Sequence, residues 1–416
     1  MKNKFFFKEN PVGTIFDQRD IAIVNKVLKS GEVLTRGKNI HDFEKKFSNY
    51  CGSKYAIAVS SCGAALNITS KMLSIKKGDE VICQANMFWS SINHLVEKKA
   101  KIKFADIDEN LNISISHLNK IITKKTKAIY IMHHGGNPCD LDSLYKIARK
   151  FSVSVVEDCA HALGSKYKKN KLGMKSDIAC FSFSTLKNIS TLGEGGMIVT
   201  NNKNYMNKAK ILRTNFPTAG FKKDLFLEKK FHTKFRDIKN FTNVGNSWTN
   251  KIIKLDEIGS TYRLSEPQAA TGIIQLKKID KLIKRRKYLA NLYTNFLKKY
   301  SNLFSTIQTD KNSKNSYHLF SFLVKENKYF TRNQLANLLI QRGIEIKIRF
   351  APLHFNNVVR YNKISNSHKK NFSLPNLERI WLKEQMSLPI DPYKSLKQIN
   401  KMKRVFSQTI KDLINK

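Results

Sequence analysis

From Tyr55 to Thr200 short apolar runs alternate with helical patterns, and this rhythm constrains the fold more than any other feature of the chain. The runs are Tyr55–Val59, Glu80–Cys83, Lys101–Phe104, Ala128–Met132, Val153–Val156 and Ile178–Phe181, with helix-length segments such as Ala64–Leu73 and Leu141–Phe151 between several of them. Such alternation predicts an α/β domain with a mainly parallel central sheet flanked by helices. Ligands of these sheets bind where strands end, so polar residues at strand termini are the first place to seek a site. Residues 215–255 are charged and irregular, and read as an insertion or long loop. Apolar positions at helical spacing from Ser265 to Tyr300 predict a long linking helix. Strand-like segments at His318–Val324 and Ile344–Phe350, around a helix at Asn333–Gln341, predict a small carboxy-terminal α+β domain. With 416 residues the chain is too long for one simple core, and we divide it into a large domain, 1–255, and a linking helix with small domain, 256–416.

The net charge of +43 taken alone would suggest nucleic acid or an anionic surface as partner. The lysines are scattered along the whole chain, and nucleic-acid binders concentrate their charge in a patch, so no nucleic-acid partner is expected. A diffuse positive field favours a phosphorylated, anionic substrate instead. No run approaches the length of a membrane-spanning helix and the amino terminus lacks a signal-peptide core, which predicts a cytoplasmic protein. The six cysteines show no Cys-x-x-Cys spacing, so neither disulfides nor a metal site is implied. His133 and His134 are adjacent, and adjacent strand side chains point to opposite sides, so they cannot share one metal from a strand.

Four local features carry candidate chemistry. Phe181 to Lys187 runs from a strand end towards the turn Gly193-Glu194-Gly195-Gly196 and a new strand at Met197–Val199; a partly desolvated lysine there can form an imine with an aldehyde. The strand Val153–Val156 ends in Glu157-Asp158, where a carboxylate can face a pyridine nitrogen, although an isolated Asp after a strand more often caps a helix. Ser60-Ser61-Cys62-Gly63-Ala64 places small residues at a helix start, where backbone amides can approach a phosphate or simply permit close packing. Phe88-Trp89 follows a strand and can stack on a planar ring or belong to the core. The four belong together if the chain binds a phosphorylated pyridine aldehyde.

At these residues the chain resembles the DegT/DnrJ/EryC1/StrS family, fold type I pyridoxal-phosphate enzymes acting mostly on nucleotide-linked keto sugars. The landmarks that carry the likeness are Phe43-Glu44-x-x-Phe47, Lys77 to Ile82, His133-His134-Gly135-Gly136-Asn137-Pro138, Glu157 to Ala162, Phe181 to Lys187, Tyr262 to Ala270, Pro352-Leu353-His354 and Leu388-Pro389. The resemblance implies that Lys187 carries pyridoxal 5'-phosphate and acts as the acid-base group, that Asp158 pairs with the pyridinium nitrogen, and that His161 lies near the ring hydroxyl. It further implies Phe88 as the stacking ring and Cys62, Gly63 and Ser182 as the phosphate holders. The partners it implies are a nucleotide-linked keto sugar and an amino acid donor, glutamate, with a homodimer as the assembly. Departures are Ser61-Cys62-Gly63 where the family commonly has Ser-Gly-Thr, Thr261 in place of a frequent Asn, and Arg349 in place of a frequent His. A family subset with histidine at the position of Lys187 dehydrates its sugar, and Lys187 argues for amino transfer. Amination of a keto-cyclitol, dehydration on the same fold, and a non-catalytic basic regulatory or nucleic-acid-binding protein are the alternatives.

Overall fold

The computed structural model describes residues 5–214, 258–361, 365–366 and 372–415. Two amino-terminal helices, α1 (Gln18–Lys29) and α2 (Lys38–Cys51), precede the alternating region. There follow β1 (Tyr55–Val59), α3 (Cys62–Met72), β2 (Glu80–Gln84), α4 (Asn93–Glu97), β3 (Lys101–Ala105), α5 (Ile115–Ile121), β4 (Thr126–Met132), α6 (Leu141–Lys150) and β5 (Ser154–Asp158). A small hairpin, β6 (Lys166–Tyr167) and β7 (Asn170–Lys171), leads to β8 (Ile178–Ser182), β9 (Gly196–Thr200) and α7 (Lys203–Leu212). Seven of these strands form one sheet in the order β1-β9-β8-β5-β4-β2-β3. Every pairing is parallel except the two made by β9, and the connection from β8 into β9 carries Lys187.

The strands are buried on both faces, as a covered parallel sheet requires. One face packs Ile57, Val81, Tyr130, Val156 and Ile198 against α3 and α7. On the other, Ala58, Phe181 and Val199 meet Phe43 and Phe47 of α2, while Ile129 and Val155 meet Leu118 of α5 and Leu144 of α6. The six strands expected between Tyr55 and Ser182 are all present: β1 has the expected bounds, β5 starts one residue later and ends two later, and the others are longer by a residue or two. All six cysteines are buried and unpaired, and no helix among the described residues is long and apolar enough to cross a membrane.

Helix α8 (Glu266–Lys298) starts at Ser265, whose hydroxyl and amide close a capping box with Gln268. Its first half, through Ala269, Leu276 and Ile279, packs under the large sheet; its second, through Leu289, Tyr293 and Phe296, enters a separate core. That core covers a three-stranded antiparallel sheet of β10 (Phe304–Thr306), β11 (Phe320–Val324) and β12 (Gln385–Leu388), with α9 (Arg332–Gln341) and α10 (Leu396–Ile414). The strand expected at Ile344–Phe350 is not one. The segment makes isolated bridges, Ile344 to Phe7 and Lys347 to Ser387, because β12 takes the place beside β11. The expected insertion at 215–255 lies outside the described residues.

Candidate active site

Asp158 is the last residue of β5, buried at the carboxyl edge of the sheet. Its Oδ2 accepts from the hydroxyl of Ser91 at 2.7 Å, and its Oδ1 accepts from the amide of Ala160 at 2.9 Å. The Cys62 thiol lies 4.0 Å from the same Oδ1. A carboxylate held by two donors keeps a fixed orientation, so its free lone pairs point where a ligand's N–H can reach them.

The β8–β9 connection holds Lys187 beside this carboxylate. Backbone bonds from Phe183 to Gly195 (2.8 Å), Thr185 to Gly193 (2.9 Å) and Lys187 to Ser184 (2.9 Å) close the loop on itself. Gly13 crosses it, donating to the Thr185 carbonyl at 2.9 Å; a Cβ at Gly13 would sit 2.0 Å from the Leu186 carbonyl oxygen, so only glycine permits the crossing. Phe183 and Phe181 are anchored on Phe47 at 5.4 and 5.1 Å, which ties the Phe43-Glu44-x-x-Phe47 landmark to the lysine loop. Lys187 is half-buried, and desolvation pushes its amine below the usual lysine range, helped by Arg349 and opposed by Asp158 and Cys62.

Helix α3 begins beside the same carboxylate. Ser61 caps it, accepting from the Ala64 amide at 3.0 Å, and the amides of Cys62 and Gly63 have no hydrogen-bond partner among the described residues. Ser182 pairs with Gly196 across β8 and β9, and a Cβ on Gly196 would lie 2.4 Å from the Ser61 carbonyl oxygen. This close approach brings the buried Ser182 hydroxyl to the same edge as the two free amides. Burial, with Asp158 next, pushes the Cys62 thiol well up, so it stays protonated.

His161 follows Asp158 in a turn and is buried against the small sheet's side of the site. Its ring lies 4.4 Å from that of His318, 5.7 Å from a stacked Phe350 and 6.4 Å from His134. Nδ1 of each of these three histidines has no hydrogen-bond partner among the described residues. Burial drives all three well below the usual histidine range, His134 to about 3, and Arg349 contributes to each. Phe88 is 54% exposed at the mouth, meeting Phe350 edge-on at 5.6 Å, and opens the short turn whose last residue is Ser91.

Lys187, Asp158, His161, Cys62, Gly63, Phe88 and Ser182 therefore gather at one sheet edge. Ser91, His318, Phe350, Gly13 and Arg286 were not singled out from the sequence. Arg286 of α8 donates to the Gly13 carbonyl at 2.6 Å and the Tyr317 carbonyl at 3.3 Å, clamping both segments to the site. An indirect signal for His318 was Gly135-Gly136: both have positive φ, a Cβ on Gly136 would meet the Ser316 hydroxyl at 2.4 Å and one on Gly135 would meet Leu319 Cβ at 3.2 Å, so the glycines admit the segment on either side of His318. His133, Glu157 and Cys159 have ligand atoms within 4.8 Å of one another. Both His133 nitrogens are in use, however: Nδ1 accepts from the Cys139 amide at 3.0 Å, so Nε2 donates to Glu157 at 3.1 Å.

This arrangement can hold a planar pyridine bearing a phosphate. It offers a fixed carboxylate for a ring N–H, two free amides at a helix start and a hydroxyl for the anion, aromatic faces for the ring, and a deprotonatable amine. Residues 14–406 match the DegT/DnrJ/EryC1/StrS aminotransferase family. The chain is 34% identical over 335 residues to GDP-perosamine synthase of Escherichia coli O157:H7, covering 80% of this chain and 81% of that protein. It is 30% identical over 395 residues to a UDP-4-amino-4,6-dideoxy-N-acetyl-beta-L-altrosamine transaminase of Campylobacter jejuni, covering 92% and 96%. Among solved structures, Helicobacter pylori PseC, an aminotransferase involved in the biosynthesis of pseudoaminic acid, superposes with a TM-score of 0.81 at 27% identity, covering 98% of this chain and 100% of that one. With the site geometry and the full-length match in agreement, the chain belongs to the DegT/DnrJ/EryC1/StrS aminotransferase family.

Proposed function

We propose that Lys187 carries pyridoxal 5'-phosphate and that the chain transfers an amino group from an amino acid, glutamate, to a keto group of a nucleotide-activated deoxysugar, for cell-surface polysaccharide or glycoconjugate biosynthesis. The observation that carries this reading is a desolvated lysine beside a buried, doubly held carboxylate in a chain of this family. When bound, the cofactor supplies an aldehyde for attachment and a ring that withdraws electrons. Asp158 keeps the proton on the ring nitrogen, with Ser91 and the Ala160 amide fixing its orientation. The amides of Cys62 and Gly63 and the hydroxyl of Ser182 hold the phosphate. Phe88 covers one ring face, and His161 stands beside the ring hydroxyl. Lys187, its amine below the usual range, has Nζ ready to take and return the proton that amino transfer moves between carbons. The chain works as a cytoplasmic homodimer, with residues 1–255 as the large domain and 256–416 as the linking helix and small domain.

Incubation with ¹⁵N-glutamate and a UDP- or GDP-linked keto-deoxysugar tests this reading. The expected product is an amino sugar carrying the label. A deoxygenated keto product without nitrogen would overturn amino transfer in favour of dehydration.

A further inference from the structure

Arg349 and Phe350 roof the site from the small-domain side. Phe350 stacks on His161 at 5.7 Å and meets Phe88 at 5.6 Å, so the segment lies between two residues assigned above to the cofactor. The Arg349 side chain is only 16% exposed. Its Nη2 donates to Glu9 Oε2 at 2.6 Å, and the same oxygen accepts from Lys347. Burial opposes ionisation of Glu9, but the two cations, Arg349 first, hold its carboxyl below the usual range, so this anchor stays charged. A guanidinium has five N–H donors, and the others on Arg349 have no hydrogen-bond partner among the described residues. Arg349 is a permanent cation whose charge is felt by Lys187, His134, His161 and His318 together. Those three histidines are neutral, so they offer an incoming anion no competing charge.

We propose that Arg349 is the anion anchor of the site and takes the carboxylate of the amino donor on the N–H groups that Glu9 leaves idle. The proposal rests on the aminotransferase reading above. Carboxylate and phosphate both match a guanidinium fork. Bond topology separates them. In an α-amino acid the carboxylate is bonded directly to the carbon whose proton Lys187 takes, which places the anion close to that lysine. In a nucleotide sugar the diphosphate sits on the anomeric carbon, removed from the keto carbon by bonds of the ring. An arginine near Lys187 and tethered from behind by Glu9 suits the first.

The test uses the cofactor-loaded protein and the variants Arg349→Gln and Arg349→Lys. Glutamate alone is titrated while the yellow absorbance is followed, and the nucleotide keto sugar is titrated separately against protein already in the amine form. Arg349→Gln is expected to raise the half-saturating glutamate concentration by roughly 30- to 100-fold, the range for a lost charge-assisted pair, and Arg349→Lys to restore part of it. Half-saturation by the sugar should change less than about 3-fold in both, an effect within ordinary surface-mutation size. A binding isotherm for unreactive succinate provides a readout independent of turnover: wild type binds, and Arg349→Gln loses it. A defect confined to the sugar arm would overturn the proposal and assign Arg349 to the phosphate. Unchanged succinate and glutamate binding would overturn it outright. If wild type ignores every amino acid tried, the aminotransferase reading fails; the succinate comparison still decides whether Arg349 binds carboxylate.

Discussion

His133 and His134 are neighbours in the chain but enter two buried clusters of opposite character. His133 joins a closed network in which it donates to Glu157 at 3.1 Å while Glu157 accepts from the Tyr145 hydroxyl at 2.7 Å and the Cys139 amide fills the other ring nitrogen at 3.0 Å. His134 instead faces His161, which in turn meets His318, and each Nδ1 of the three is without a partner among the described residues. The histidines of both clusters are buried among titratable groups, so burial and composition do not distinguish structure from function here. Hydrogen-bond satisfaction does. A satisfied network stabilises the fold, whereas orphaned buried nitrogens cost stability and persist where a ligand is to meet them.

Four measurements sharpen or break this contrast. The largest effect belongs to the open side: Lys187→Ala should lower turnover by at least about 10⁴-fold, as removal of a covalent nucleophile does, while the denaturant midpoint stays close to wild type. A variant that loses both activity and fold would show that the open side is structural after all. On the closed side, Glu157→Ala should cost about 2–4 kcal/mol in urea unfolding, because Tyr145 and His133 lose their acceptor together. An unfolding curve unmoved by that change would remove the basis for calling the network structural.

The third measurement uses pH. His94 and His134 are pushed down to about 3 by burial, and His161 and His318 lie well below their usual value. Their folded values are below the unfolded one, so below pH ~6.5 the unfolded chain binds more protons and stability falls with pH. Each contributes up to about 1.4 kcal/mol per pH unit between pH ~6.5 and its folded value. Replacing His161 and His318 together by Gln should flatten the acid side of the stability curve, and an unaltered slope would contradict their neutral burial. The smallest effect is Ser91→Ala, which leaves Asp158 with one backbone donor. Turnover should fall roughly 5- to 10-fold, the worth of one hydrogen bond, with a shifted cofactor absorbance as the sign that the carboxylate has turned.

The strands of the large sheet were legible because fully covered strands must be apolar throughout, and runs such as Ala128-Ile129-Tyr130-Ile131-Met132 have that composition. The small sheet was harder to read. Gln385-Met386-Ser387-Leu388 carries two polar residues and no β-branched one, yet all four are buried, and pairing with β11 makes it a strand. Ile344–Phe350, richer in strand formers, lost that place and became the arm that carries Arg349 over the site. That Lys187, Asp158 and the Cys62–Gly63 turn would lie together was legible because each lies beside a strand end and in an ordered series of landmarks. Ser91 and Arg286 had no mark, and His318 had one only in the distant Gly135-Gly136, since their partners are 67, 273 and 157 residues away in the chain.

The sequence by itself determined the α/β architecture and the family, because local periodicity and ordered strand-end landmarks are written in consecutive residues. Tertiary structure alone decided which buried histidine is satisfied and which is not, which strand completes the small sheet, and that Glu9 tethers Arg349 across 340 residues. The physical reason is that hydrogen-bond satisfaction and desolvation are properties of a site's whole surroundings, assembled from segments that only folding brings within 3 Å of one another.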